Sequence, residues 1–309
     1  MEKKSFINRA IRAITHPRLL LEYNLGKLAP YIKNDRLYIK LKYRLFVGGK
    51  CNIDCPKTFQ EKLQWIKLND RKSIYHQMVD KYDVKKYIAD CVGEMYNIPT
   101  IGIWNSFEEI DFDLLPNAFV LKGTFDSGSY YICKDKSKIN KSDIKKKLYI
   151  NWKKDYYVYS REWPYKGLKH RIIAEPLLED STCKYLRDFK FYCFNGEPKI
   201  FYITSDKGGE LPIRQDFFDI NGRHLDIQDE HYTNNPIQIP PLPINLKTMV
   251  KMCYRLARNT YHLRVDFYEI NGKIYCGELT FFEAGGFCCF VPQKYNLILG
   301  DWIKLPIDK

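Results

Sequence analysis

No apolar run in the 309 residues approaches the eighteen or more that a membrane-spanning helix needs. The N-terminus "MEKKSFINRAIRAITHPRLLLEY" has neither the apolar stretch nor the small-residue cleavage site of a secretory signal, so a cytoplasmic protein is expected. Internal repeats and low-complexity segments are missing too. No G-x-x-x-x-G-K-[ST] loop occurs, and the Gly/Ser turn at 123–129 runs into a strand, which argues against both a P-loop and a dinucleotide turn. No compelling Ser/His/Asp or Cys/His arrangement is present. RNP, zinc-finger and helix-turn-helix signatures are equally missing, so no nucleic-acid partner is expected. Ten cysteines could pair, but Cys193, Cys276, Cys288 and Cys289 sit in apolar strands, where a thiol acts as a small hydrophobe, and all ten are read as reduced. "CNIDC" (Cys51, Cys55) could open a zinc site, yet no second Cys/His pair follows at a suitable spacing.

What is present is apolar and basic. With 45% hydrophobic and 15% aromatic residues the chain can bury a substantial core shared by two or three lobes. Fifty Lys and Arg against 37 Asp and Glu leave a net +13, which favours an anionic partner. Part of the excess is local: "SFINRAIRAI" and "RLYIKLKYRLF" interleave apolar and basic residues, as a segment lying on an anionic membrane would. A solvated basic face packed on the next lobe explains them equally well.

Helical periodicity marks 5–15, 35–46 and 58–68, the last opened by a Thr58/Glu61 capping box. "DKYDVKKYIADCV" reads as a further helix ended by Gly93. From about Pro116 alternating patterns predict strands in "AFVLKGT", "SYYICKD", "HRIIAEPLL", "FKFYCFNGEPKIFYITSD" and "LRVDFYEINGKIYCGELTFF". Helices interrupt them near 141–153 and 245–259. Asn195-Gly196 and Asn271-Gly272 predict two antiparallel hairpins. The class is α+β.

Three stretches carry candidate chemistry. Lys122 ends a strand beside a loop with Gly123, Ser127, Gly128 and Ser129, which suits phosphate because backbone N–H groups can approach while the ammonium supplies charge. A plain hairpin with an incidental lysine fits as well. Asp188 and Lys190 share one face of a strand, as a surface ion pair commonly does. Asp266 and Glu278 lie on the two arms of the Asn271-Gly272 hairpin, where like charges repel unless a cation sits between them. Mg²⁺ would serve, and so would Arg264 or backbone donors.

In order along the chain, "VDKYDVKKYI", "FVLKGTFDSGS", "IIAEPLL", "DFKFYCFNGEP" and "RVDFYEINGKIYCGELTFFEAGG" resemble the ATP-grasp superfamily. "PKTFQEKLQWIKL", "LPNAFVLK", "DFKFYCFNG" and "GELTF" resemble its TupA-like branch, over about residues 50–305. The resemblance implies an ATP-grasp fold, two α+β lobes gripping ATP behind a mostly helical N-terminal region. Its divisions would be a basic extension at 1–50, an N-terminal lobe at 51–115, a central lobe with a phosphate lid at 116–175 and a C-terminal lobe with a metal site at 176–309. It further implies that Lys81 and Lys122 contact the ATP phosphates, with Lys85 a weaker candidate, and that the loop Gly123–Ser129 closes as a lid. Glu175 and the backbone through Leu178 match the adenine segment, Asp188 the ribose position and Lys190 the phosphate and metal region. Asp266 and Glu278 match Mg²⁺ carboxylates. Thr280 stands where the superfamily commonly has Asn, and its hydroxyl would orient a metal-bound water. Phe125 and Asp126 stand where the branch more often has an Asn-His pair. Arg264, ahead of Arg214 and Arg171, is the choice for an anionic substrate, and the "EAGGF" loop would border the acceptor.

The activity implied is ATP- and Mg²⁺-dependent ligation of a carboxylate to an amine through an acyl phosphate, joining an amino acid to a sugar, sugar acid or nucleotide sugar for capsule, exopolysaccharide or teichuronopeptide. Such chemistry needs positioning and charge neutralisation more than an acid–base side chain. The alternatives are a sugar kinase or glycosyltransferase on the same fold, and a non-catalytic module binding anionic glycan or membrane.

Overall fold

The computed structural model describes residues 17–183, 185–206, 212–234 and 238–308. The helix expected at 5–15 lies outside them. Among the described residues there are eleven strands: β1 Gly102–Trp104, β2 Phe119–Gly123, β3 Tyr130–Cys133, β4 Ile172–Pro176, β5 Asp188–Phe194, β6 Glu197–Ser205, β7 Arg214–Asp219, β8 Gln228–Asp229, β9 His262–Ile270, β10 Lys273–Thr280 and β11 Phe290–Val291. They form a four-stranded sheet in the order β1-β4-β2-β3, a five-stranded sheet in the order β10-β9-β5-β6-β7, and the short pair β11-β8. Every named pairing is antiparallel. The α+β class expected from the sequence is what the chain adopts. Among the described residues no helix is long and apolar enough to cross a membrane.

Local chemistry explains the elements. The helix Phe59–Asn69 opens with a complete capping box: Thr58 accepts from the Glu61 N–H while Glu61 accepts from the Thr58 N–H. The turn ahead of the helix Val84–Val92 is wound by Asp80, whose Oδ1 accepts from the Tyr82 and Asp83 N–H groups at 2.9 and 3.0 Å. Both Asn-Gly dipeptides make hairpin turns with positive φ at each residue, 49° and 84° at Asn195-Gly196 and 49° and 78° at Asn271-Gly272.

The β9–β10 hairpin is not regular. Cys276 faces Phe267, but the next pair is Glu278 with Asp266, so Gly277 forms a bulge. The extra residue inverts the alternation. Ile274 and Cys276 join the apolar core, whereas Glu278 and Thr280 share a face with Asp266 and Arg264. A Cβ at Gly277 would lie 2.7 Å from the Tyr268 ring, so glycine is required there.

Among the described residues two main cores are accompanied by two small clusters, one around Ile39, Tyr43, Ile53 and Phe287 and one around Leu25, Ala29 and Tyr38. The larger packs the five-stranded sheet against residues of the helices Phe59–Asn69, Ile74–Val79, Val84–Val92, Leu246–Leu256 and Lys294–Trp302. The smaller joins β2 and β4 to the helix Lys141–Leu148 through Phe119, Leu121, Ile144, Leu148, Ile172 and Ala174. Residues 51–115 contribute to both: Phe59 to Ile88 lie in the larger core, Phe107 to Leu115 in the smaller. At Gly300 a Cβ would meet the Lys57 carbonyl oxygen at 2.1 Å, so the last helix approaches the start of Phe59–Asn69 as closely as only glycine permits.

Candidate functional site

Strand alternation gives each of the two sheets a polar surface opposite its core. On β2, Phe119 and Leu121 enter the smaller core and leave Lys122 on the other face; on β4, Ile172 and Ala174 do the same for Glu175. Glu175 bridges two lysines, accepting from Lys122 Nζ and from Lys85 Nζ, each at 2.6 Å. Burial alone would raise its carboxyl, but the two ammonium groups hold it below its ordinary value. Lys85 is therefore the nearer companion of Lys122, and the Glu175 side chain is their counter-ion.

Lys81 is directed elsewhere. Its ammonium donates to the Gly123 carbonyl at 3.0 Å and to the Asp126 carbonyl, so it ties the lid loop to the first helices. Burial lowers its pKa, against the pull of the Glu278 charge. Inside the loop, Asp126 accepts from the Ser129 N–H at 3.1 Å, the Ser129 hydroxyl at 2.7 Å and Asn151 Nδ2 at 2.7 Å. Phe125 stacks on His170 with ring centroids 3.8 Å apart. Phe125 and Asp126 are thus inward anchors, and only the tip at Ser127 and Gly128 is exposed. Leu178 follows β4, half-buried and outside any strand.

The second sheet gathers the remaining predicted residues. Lys190 on β5 stands opposite Asp266 on β9 and forms an ion pair with it, while Asp188 lies 3.7 Å from the same ammonium. Arg264 grips Asp266 through two parallel bonds, Nε to Oδ1 at 2.7 Å and Nη2 to Oδ2 at 2.8 Å. Its fork also donates to Glu283 at 2.6 Å and to the Thr280 hydroxyl at 3.1 Å, and Thr280 in turn donates to Glu278 at 2.7 Å. Burial would raise the Asp266 carboxyl, but Arg264 and Lys190 outweigh it and hold it below 3.8. The reciprocal effect raises Lys190, where Asp266 overcomes the burial that would lower it. Glu278 is the open member, its side chain 41% exposed.

Of the other arginines, Arg171 is held by Asp80 and Asp83 at 3.0 and 2.7 Å, and Arg214 by Asp206 at 2.6 Å. Neither contacts the carboxylates that Arg264 organises. A cavity of about 1070 Å³ is lined by Lys85, Ile98, Ile103 and Lys273 among others, but by none of Lys122, Lys190, Asp266 or Glu278.

The model of the TupA-like ATP-grasp family matches residues 61–304. The chain belongs to that family. Among solved structures, this TupA-like ATP-grasp chain is similar to D-alanine–D-alanine ligase from Bacillus anthracis complexed with ATP, at 16% identity and a TM-score of 0.44, over 73% of this chain and 64% of that one. It is also similar to D-alanine–D-alanine ligase from Helicobacter pylori, at 13% identity and a TM-score of 0.42, over 81% and 70%. A third is ATP-grasp ligase PsnB complexed with minimal precursor, Mg and ADP, at 11% identity and a TM-score of 0.39, over 87% and 71%. The chain thus spans less than two thirds of the first of these. No curated protein matches it.

The donor set of this TupA-like chain fits Mg²⁺. Asp266 and Glu278 are cross-strand neighbours on one face with the Thr280 hydroxyl beside them, an oxygen-only set. Among the described residues no group of three or more His, Cys, Asp and Glu could hold a metal, and both Asp266 oxygens accept from Arg264 or Lys190, so a cation there would have to displace those donors.

Sequence reasoning missed two features. Gln60, Gln64 and Lys67 form a stripe at i, i+4 and i+7 whose side chains donate to the carbonyls of Cys288, Gly286 and Gly285 and fasten the loop after β10. That pattern reads equally as a solvated helix face. Glu162, in the aromatic run "YYVYSREWPY", is the second; a carboxylate in such company was the available signal.

Proposed function

We propose that the protein is an ATP- and Mg²⁺-dependent carboxylate–amine ligase that works through an acyl phosphate. The observation that carries this reading is the convergence of Lys190, Arg264, Asp266, Thr280 and Glu278 on one sheet face. Such a face offers cations for phosphate and for a substrate carboxylate, together with oxygen donors for the metal.

Mg²⁺, held by Asp266 and Glu278 with Thr280 orienting its water, would neutralise phosphate charge. Lys122 and Lys190 would hold the phosphates, exchanging their present carboxylate partners for phosphate oxygens. Arg264 would orient the acid substrate, whose carboxylate oxygen attacks the γ-phosphorus as ADP leaves; the amine then attacks the acyl carbon and phosphate departs. The lid tip at Ser127 and Gly128 would exclude water from the acyl phosphate. Glu175 would set the lysine pair, Leu178 would border the adenine and Asp188 the ribose. The acceptors favoured by family membership are an amino acid and a sugar, sugar acid or nucleotide sugar of a surface polysaccharide.

The test is product analysis with paired acids and amines. ADP and phosphate release that requires both substrates is expected, with hydroxamate forming when hydroxylamine replaces the amine. AMP formation, or phosphorylation of a sugar without any amine, would overturn the reading.

We also propose that the protein works in the cytoplasm with its N-terminal region against an anionic membrane. The helices Pro17–Leu28 and Asp35–Phe46 expose Leu21, Leu28, Leu37 and Leu41 in a segment rich in Lys and Arg. Sedimentation with phosphatidylglycerol vesicles but not with phosphatidylcholine vesicles is the expected result.

A further inference from the structure

One buried carboxylate has no use in the chemistry above. Glu162 follows the short helix Tyr156–Ser160, is 3% exposed, and its Oε1 has no hydrogen-bond partner among the described residues. The segment is fixed by its neighbours. Arg161 adopts a left-handed backbone with φ 58° and donates to the carbonyls of Val158, Ala29 and Ile32, so the chain direction entering Glu162 is set. The fully buried Lys67 spans the Ser160 and Gly285 carbonyls and joins this segment to the loop after β10.

Glu162 Oε1 looks onto that loop: a Cβ built at Gly285 would lie 3.9 Å from it. Around it stand groups already placed near the chemistry. The charges of Glu162 and Glu278 both act on the Tyr156 and Tyr165 hydroxyls, Arg264 acts on Tyr165, and Tyr156 hydrogen-bonds the lid residue Ser127. Tyr156 and Tyr165 also line a cavity of about 300 Å³ whose charged lining is Lys153, Lys154 and Asp155; Glu162 itself is not among its lining residues. A buried carboxylate oxygen without a donor costs free energy unless a cation or donor arrives. Lys67 has two of its three N–H donors committed to backbone carbonyls.

We propose that Glu162 receives the cationic amine of the acceptor, a primary ammonium group on an amino acid or amino sugar, with the Tyr156 and Tyr165 rings as its walls. This deepens the ligase reading and rests on it. Glu278 and Arg264 would face the acyl phosphate from the β10 and β9 side, and Glu162 would hold the nucleophile across from them beneath the lid tip. The pairing explains why the loop Glu283–Gly286 is fastened so heavily from the helix Phe59–Asn69: its backbone is the floor between the two substrates. Ala284, Gly285 and Gly286 all have positive φ, at 46°, 66° and 73°, a left-handed path that favours glycine at the last two positions.

The test uses the full chain saturated with Mg²⁺ and a non-hydrolysable ATP analogue. Glucosamine, glycinamide and methylammonium are titrated calorimetrically into wild type and Glu162→Gln, with N-acetylglucosamine as the neutral control. At least one cationic probe is expected to bind wild type ten-fold or more tightly than Glu162→Gln, while N-acetylglucosamine does not distinguish the two proteins. Equal affinity of every cationic probe for the two proteins overturns the proposal. So does a Glu162→Gln protein whose affinity for the ATP analogue falls in the same proportion, because the residue would then be a structural support. Hydroxamate formation by wild type reports on the ligase reading separately: discrimination of amines without hydroxamate would leave this subsite standing and remove the ligase, and the converse would do the opposite.

Discussion

Two regions of the molecule treat buried charge in opposite ways. Around Glu175 and Asp266 each cation already has a carboxylate: Lys122 and Lys85 share Glu175, and Lys190 and Arg264 share Asp266. In the other region Glu162 is as deeply buried, yet its Oε1 is unpartnered among the described residues. The first arrangement is stable by itself, since the desolvation of each charge is offset by an opposite one, and ligands enter by exchanging partners. The second stores a cost that only a donor or cation relieves. On the ligase reading proposed above, that contrast would help the protein to tell a negatively charged nucleotide from a positively charged nucleophile.

Substitutions break the comparison most strongly in the paired region. Asp266→Asn leaves Arg264 and Lys190 facing each other without their counter-ion and should lower stability by about 3–5 kcal/mol in urea denaturation at pH 7. Because the folded Asp266 carboxyl lies below its ordinary 3.8, its contribution is complete above that pH and is lost as pH falls through the lower folded value. Wild type should therefore show a steep acid loss below pH 3.8 that Asp266→Asn lacks. Glu278→Gln removes an exposed carboxylate, so stability should hold while ATP turnover falls by roughly 10²–10³-fold, the usual cost of deleting a group aimed at developing charge. A smaller loss there would take Glu278 out of the metal site. Gly277→Ala probes how Glu278 is aimed. The added Cβ meets the Tyr268 ring at 2.7 Å, and overpacking of about 1–3 kcal/mol is expected with a parallel fall in turnover. Full turnover in a destabilised Gly277→Ala protein would separate the bulge from the site.

That bulge also marks the limit of what the sequence made legible. The hairpins were readable because Asn-Gly has few backbone options, and the helix start at Thr58 because a capping box satisfies two donors with two residues. The pairing of Asp266 with Glu278 was anticipated from the hairpin, but a regular register from Asn271-Gly272 would place Glu278 opposite Val265 and aim it into the core. Gly277 corrects the parity, and nothing in a period-two pattern announces a bulge except the glycine itself. The roles of the lysines divided for a similar reason. Strand alternation fixed the face of Lys122, whereas the long side chain of Lys81 reaches 42 residues ahead to the Gly123 carbonyl, which no local rule specifies. The burial of Gln60, Gln64 and Lys67 was not legible because burial of a polar stripe depends on which loop covers it. In this chain that loop arrives from residues 283–288, more than two hundred positions later.

The smallest effect sharpens the comparison most, because its sign is the informative part. Glu162→Gln keeps the shape of the side chain and removes a charge whose Oε1 has no hydrogen-bond partner among the described residues, although Lys67, Lys42 and Ser160 act on the carboxyl, so stability at pH 7 should change by less than about 1 kcal/mol or rise, where Asp266→Asn falls by several. Burial lifts the Glu162 carboxyl to about 7 from its ordinary 4.5, against the attraction of Lys67 and Lys42. The folded state therefore binds more protons than the unfolded one between those values, and stability attributable to this group is greatest below pH 4.5 and declines as pH rises to 7. Wild type should gain stability on acidification across that window, and Glu162→Gln should be flatter. The two regions would then respond to acid with opposite signs in adjacent windows, relief at Glu162 first and collapse at Asp266 below it. A flat wild-type profile between pH 7 and 4.5, measured by urea denaturation, would mean that Glu162 is already compensated and that the contrast between the two regions is not real.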